Sequence, residues 1–299
     1  MIGMNSKCWS SLLLGLVLAS WGSRVLACSS CGSGGADPVI LNPNESSKLY
    51  LGLTQQSGFL DVNLHGERRS SFGPDLKQSM DLAAAQRLGS RVFASAVLNF
   101  ARNVHGSQSE TQIGDVTLNS RATLVQQNFA EPLIPQVQLL MSHRFGIGRS
   151  VYQQRREHFL DVFGAGYDET YVGADLWFGM TPIMAGGSVI FGFPGAAHTE
   201  SGSLQLGRLQ KLIGTLGFLP SPDVKLIGGF IREQREGSEL NHLPQADSDK
   251  LDHDLFLTME TLYTEGSNFR LSVSKKAAFG SNKNAVVANV VAVGWMLGL

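Results

Sequence analysis

Apolar residues alternate with other residues along most of this chain, most plainly at its end. Val287, Val291, Val293, Trp295, Leu297 and Leu299 fall on every second position, with Asn289 the one polar interruption. A period of two places these side chains on one face of a β-strand. The other face, Ala288, Val290, Ala292, Gly294, Met296 and Gly298, is small or narrow rather than charged. A soluble sheet rarely leaves so apolar a strand at its edge, because such an edge pairs with other chains. Closing the sheet on itself in lipid removes the edge by pairing the last strand with the first.

The same period recurs upstream. Leu49, Leu51 and Leu53 open a first strand that continues, with an interruption, through Leu60, Val62 and Leu64. Met80, Leu82 and Ala84 mark a second, and Val92, Ala94, Ala96, Leu98 and Phe100 a third. In the fourth, Val116, Leu118, Ala122 and Leu124 share one face, with Asp115, Thr117, Asn119, Arg121 and Thr123 on the other. Further strands centre on 137–141, 172–178, 183–191, 204–218, 224–230, 255–263 and 269–273, before the terminal one. The expected fold is all-β: a transmembrane, antiparallel, up-and-down β-barrel of about twelve strands.

The connections support this order. Long ones, near 66–76, 104–112, 146–168, 194–201, 236–250 and 280–285, alternate with short ones near 89–90, 129–134, 180–182, 220–223 and 266–268. That asymmetry is the sequence form of long extracellular loops and short periplasmic turns, with both termini periplasmic. A soluble β-sandwich or calycin-like barrel would show the same period, with its apolar faces turned inward. Tyr50, Phe145, Trp177, Phe218, Tyr263 and Trp295, near strand ends, suit the aromatic girdles of a membrane barrel.

Composition agrees with the membrane reading. The chain has 34 glycines, 16% charged residues and a mean hydropathy of +0.01. Past the amino terminus no stretch approaches the ~20 apolar residues of a membrane helix. Residues 1–27 read as a secretory signal: basic Lys7, the apolar run from Leu12 to Ala19, and Val25-Leu26-Ala27 before the cut. Cleavage removes Lys7 and Arg24 and no acid, which takes the net charge from −1 to −3. No basic stripe suggests a nucleic-acid partner.

Residues 28–47 are a Gly/Ser-rich periplasmic tether that holds Cys28 and Cys31, the two cysteines left in the mature chain. Three readings stay open for them. In an oxidising periplasm they form a small disulfide ring. As thiolates they could hold a soft ion such as Cu(I), although two ligands do not make a structural zinc site. Val25-Leu26-Ala27-Cys28 also resembles a lipobox, in which Cys28 becomes a lipidated amino terminus. Gly32, where a His would be needed, excludes covalent haem attachment. No cofactor is expected.

Several segments resemble known outer-membrane proteins. The ending resembles the carboxy-terminal signal that the barrel-assembly machinery reads in bacterial outer-membrane barrels, with Leu299 where Phe is usual. Ile113-Gly114-Asp115-Val116-Thr117-Leu118 resembles a strand opening of outer-membrane transporters of the phenol-degradation (MetA-pathway) and fatty-acid-channel type. With the Cys-containing, Gly-rich amino terminus, the whole mature chain looks like that group. The two-cysteine pair resembles a feature of the barrel component of outer-membrane electron conduits. Asp252-His253-Asp254 loosely resembles the acidic and His groups of omptin-type proteases, without their second acidic pair. Outer-membrane phospholipases place a Ser two residues after a His, whereas Phe145 follows His143.

The resemblance implies passage of a small solute across the bacterial outer membrane, with no enzymatic activity. The alternative is a structural or docking barrel whose tether engages a periplasmic redox or metal-handling partner. Asp115, Asn119, Arg121, Lys225, Glu233, Asp254, Glu260, Arg270 and Lys276 fall on the inferred inner face. Mixed charges there can pair across the lumen and plug it, or line a narrow, selective water path.

Overall fold

The computed structural model describes residues 39–41, 45–127, 131, 134–199, 202–264 and 266–299. The expected signal, Cys28, Cys31 and most of the expected tether lie outside them. In chain order the strands are β1 (Ser47–Val62), β2 (Arg68–Ser70), β3 (Leu76–Arg87), β4 (Val92–His105), β5 (Gln108–Val125) and β6 (Gln136–Phe145). Then come β7 (Glu169–Met180), β8 (Ile183–Pro194), β9 (Ala196–Thr199), β10 (Gly202–Gln205), β11 (Leu209–Ser221) and β12 (Val224–Arg235). β13 (Glu239–Leu240), β14 (Leu243–Pro244), β15 (Lys250–Thr264), β16 (Ser267–Lys276) and β17 (Ala285–Gly298) complete the chain. No helix among the described residues is long and apolar enough to cross a membrane.

Twelve of these strands form a closed antiparallel barrel. Around it run β1, β3 to β8, β11, β12 and β15 to β17, each paired with its successor, and β17 pairs back onto β1. The seam runs from Lys48 opposite Gly298 to Ser57 opposite Asn289, then resumes at Leu60 opposite Val287. The last residue fastens it: the Leu299 carbonyl accepts the N–H groups of Ser46 and Ser47, each at 3.1 Å, and its own N–H reaches the Ser47 carbonyl at 2.9 Å. No barrel strand is left with an open edge. Gly58, at φ +69°, sits in the break of that seam. One extra residue there moves the outward row from odd positions (Leu49, Leu51, Leu53) to even ones (Leu60), which accounts for the interruption in the first strand.

The outer surface is apolar. Leu49, Leu53, Leu118, Leu216 and Trp295 are 47% to 62% exposed, and similar side chains surround them on every barrel strand. A continuous apolar belt of this size far exceeds what a soluble monomer shows to water, and it matches the lipid-facing band of membrane barrels. Phe145, Phe218 and Trp295 point outward near strand ends, as girdle residues do. Two of the expected girdle residues do not. Tyr50 lies inside, its ring over Gly52 and Gly294, and Trp177 is buried over Gly186. A glycine under an aromatic ring lets the strand bend without leaving a hole, which gives part of the glycine content a purpose. Tyr263 has no described side chain. Val287, counted in the terminal apolar row, is covered by Val62, Ala277 and Ala285.

Two connections differ from the reading of the sequence. The segment 104–112 is a hairpin, with His105 opposite Gln108 and only Gly106-Ser107 between them. Gly106, at φ +55°, takes the backbone that a two-residue turn requires. The segment 204–218 is not one strand. It breaks at 206–208, where the backbone of Glu236 and Gly237 occupies the place of a Cβ on Gly207. The pieces set aside, β9, β10, β13 and β14, make a four-stranded sheet from two long connections, at the rim opposite the termini.

The tether's end also enters the barrel. Val39, Ile40 and Leu41 are 0% to 3% exposed and pack on inward-facing Ala83, Ala85 and Phe93. Nζ of Lys48 donates to the Ile40 carbonyl at 2.9 Å and pairs with Glu45 at 2.7 Å.

Candidate functional site

The interior is the candidate site, and strand register builds it. Residues directly opposite on neighbouring strands share a face and interact. Lys225, Glu260 and Arg270 lie in one such row across β12, β15 and β16. Glu260 accordingly pairs with Lys225 at 3.0 Å and with Arg270 at 3.6 Å. Lys211, Glu233 and Asp252 form a second row, on β11, β12 and β15. Here Glu233 pairs with Lys211 at 3.0 Å and Lys250 at 3.5 Å, and Lys250 reaches Asp252 at 3.7 Å.

A third group spans β5, β6 and β7. Arg121 and Asp175 form a fully buried ion pair. Nearby, Nδ2 of Asn119 donates to Oγ of Ser95 at 3.1 Å. Toward the far rim Glu169, with no exposed surface, gathers three donors: Arg144 at 2.6 Å, Arg235 at 2.8 Å and the Tyr171 hydroxyl at 2.6 Å. Arg144 also lies 3.7 Å from Asp115.

Asp115 ties the longest connection to this wall. It accepts the N–H of Gly148 at 3.0 Å and of Ala165 at 2.8 Å. Nδ2 of Asn103, on the same inner wall, donates to the Val162 carbonyl at 2.8 Å. Segment 146–168 therefore folds back onto the interior, with Leu160, Asp161 and Phe163 buried. Burial pushes the Asp161 carboxyl up. The N–H groups of Arg155 and Arg156 and the Arg149 guanidinium, 2.6 Å away, outweigh that and hold it below its ordinary range.

The nine residues singled out from the sequence thus all project to the interior, but not as one cluster. Arg121 joins Asp175, Asp115 joins the far-rim group, and Glu233 and the pair Glu260 and Arg270 sit in separate rows. Asp254 accepts the N–H of Ala277 at 3.0 Å. Sequence reasoning missed Lys48, Arg144, Glu169, Asp175, Lys211 and Arg235. Asp175 was within reach, since it alternates with the outward Leu176. Glu169 and Arg235 end their strands, where periodicity gives out. Asp252 and Asp254 face inward, while His253, on the alternate parity, meets Asn282 at 3.2 Å through Nδ1, so the three do not converge.

The lumen is not uniformly polar. Leu140, Ile190 and Ile213 form a buried apolar wall with Tyr171, Ile231 and Phe256 beside them, and Trp177, Met184 and Ile227 form another. Charged rows, apolar patches, an infolded loop and the tether's end together narrow the interior.

A closed, even-stranded antiparallel barrel, apolar outside and charged within, is the fold of bacterial outer-membrane barrels. Comparison with solved structures agrees. The chain is similar to an outer membrane channel from Pseudomonas putida F1, at a TM-score of 0.70 and 11% identity, over 89% of this chain and 98% of that one. It is similar to the NanC porin at a TM-score of 0.52 and 10% identity, over 83% of this chain and all of that one. No protein-family profile and no curated protein sequence matches it.

Proposed function

We propose that this protein is a bacterial outer-membrane channel for a small solute. The observation that supports the reading most is the pairing of an apolar exterior with an interior that carries charged side chains on most of its strands. A barrel built only for structure has no need to keep so many charges out of water, since replacing a buried ion pair with apolar residues is often neutral or stabilising. The similar structures are a channel and a porin, which fits the same reading.

In this reading the long connections are extracellular and both termini periplasmic. Residues 1–27 direct export, and Leu299 presents the end that the assembly machinery reads. Cys28 and Cys31 then sit on the periplasmic side as a disulfide, a lipid anchor or a soft-metal pair. Mass spectrometry of the mature amino terminus distinguishes these three states. The channel reading is tested by inserting the purified full-length protein into planar bilayers. Discrete current steps at low salt are expected. A silent bilayer containing folded barrel overturns it.

A further inference from the structure

The interior cations described above each have a carboxylate within ion-pair distance. Lys77 on β3 and Lys276 on β16 are different. Among the described residues neither ammonium group makes an ion pair or a hydrogen bond. Both face inward: Lys77 shares the face of buried Ala83 and Ala85, and Lys276 that of Arg270. Register places them near one level. Lys77 lies opposite Gln56, Gln56 opposite Val290, and Val290 opposite Ser274, two residues before Lys276. The two ammonium groups act on each other across this gap. Asp115 acts on Lys77, and Asp254 on Lys276, from beyond ion-pair distance.

Two interior cations with no carboxylate in ion-pair contact favour an anion that can reach both. The two charged rows described above supply their own partners. Here no carboxylate is within ion-pair distance, and the side chains are long enough to converge on one ligand. Across the barrel, β6, β8 and β11 present the apolar wall of Leu140, Ile190 and Ile213. A ligand that satisfies both sides has one anionic group and an apolar body.

We propose that Lys77 and Lys276 bind the anionic group of a small amphipathic organic acid. This rests on the channel reading and names the solute class it would admit. The test uses hexanoate as probe on the full-length protein, by calorimetry in detergent and by reversal potential in a bilayer under a salt gradient. Wild type is expected to bind hexanoate, to bind acetate at least about tenfold more weakly for want of an apolar body, and to prefer anions. The double variant K77Q/K276Q is expected to lose about tenfold in hexanoate affinity and the anion preference. The charge-keeping variant K77R/K276R keeps both. Should the double variant fold poorly, K77Q and K276Q taken singly are each expected to lose part of the affinity. Unchanged hexanoate binding in these variants, or a cation preference in wild type, overturns the site. Hexanoate binding without any current overturns the channel reading and leaves the site standing.

Discussion

Arg121 and Asp175 form an ion pair with both side chains fully buried. Removing one partner strands the other, so Asp175→Asn is expected to destabilise the barrel by about 3–5 kcal/mol. Arg121→Met with Asp175→Leu is expected to be far milder, within about 1–2 kcal/mol of wild type. Urea unfolding in lipid vesicles reads both. Leu216, outward on β11 and 62% exposed, makes the opposite case. Leu216→Arg puts a charge in hydrocarbon and is expected to cost about 2–4 kcal/mol in the same assay. Much of the site was legible at this scale, because alternation alone sends Asp115, Asn119 and Arg121 inward once Leu118 is sent out. Pairing was not legible. It depends on register between strands, and Glu169 meets Arg235 across 66 positions of sequence.

The element with the most to reveal is segment 146–168, held to the wall through Asp115 and Asn103 and braced within itself by Asp161. Asp161 is held below the ordinary carboxylate range of about 3.9, so its contribution is complete above that pH and fades as pH falls through its lower, folded value. Amide exchange at Arg155 and Arg156, corrected for the intrinsic rate, is expected to quicken below about pH 4. In Asp161→Asn it should be fast at every pH. The tether's end is the second such element. Replacing Val39, Ile40 and Leu41 with serine removes apolar side chains that fill the barrel near the termini, and single-channel conductance is expected to rise. An unchanged conductance would mean that the solute path avoids them. The infolding of neither element was visible in the sequence. Both lack a period, and their burial follows from distant partners such as Phe93 and Asn103. The hairpin at Gly106 was missed because its polar strands rise past the apolar belt, where the outward alternation that marked the others stops.

At the scale of the whole molecule, the twelve strands and their up-and-down order were recoverable because lipid imposes one rule on every strand: apolar outward at every second residue. A small inward bias of glycine and aromatic pairs, such as Gly52 with Tyr50, then shapes the barrel. The whole account depends on that rule having lipid as its cause. Spin labels placed one at a time along 212–218 of β11, in protein reconstituted into bilayers, test it directly. Collisions with oxygen, which dissolves in lipid, should peak at 212, 214, 216 and 218. Collisions with a water-soluble nickel complex should peak, if anywhere, at 213, 215 and 217. Nickel collisions that are high at the even positions would show the apolar face in water, and would contradict the membrane barrel.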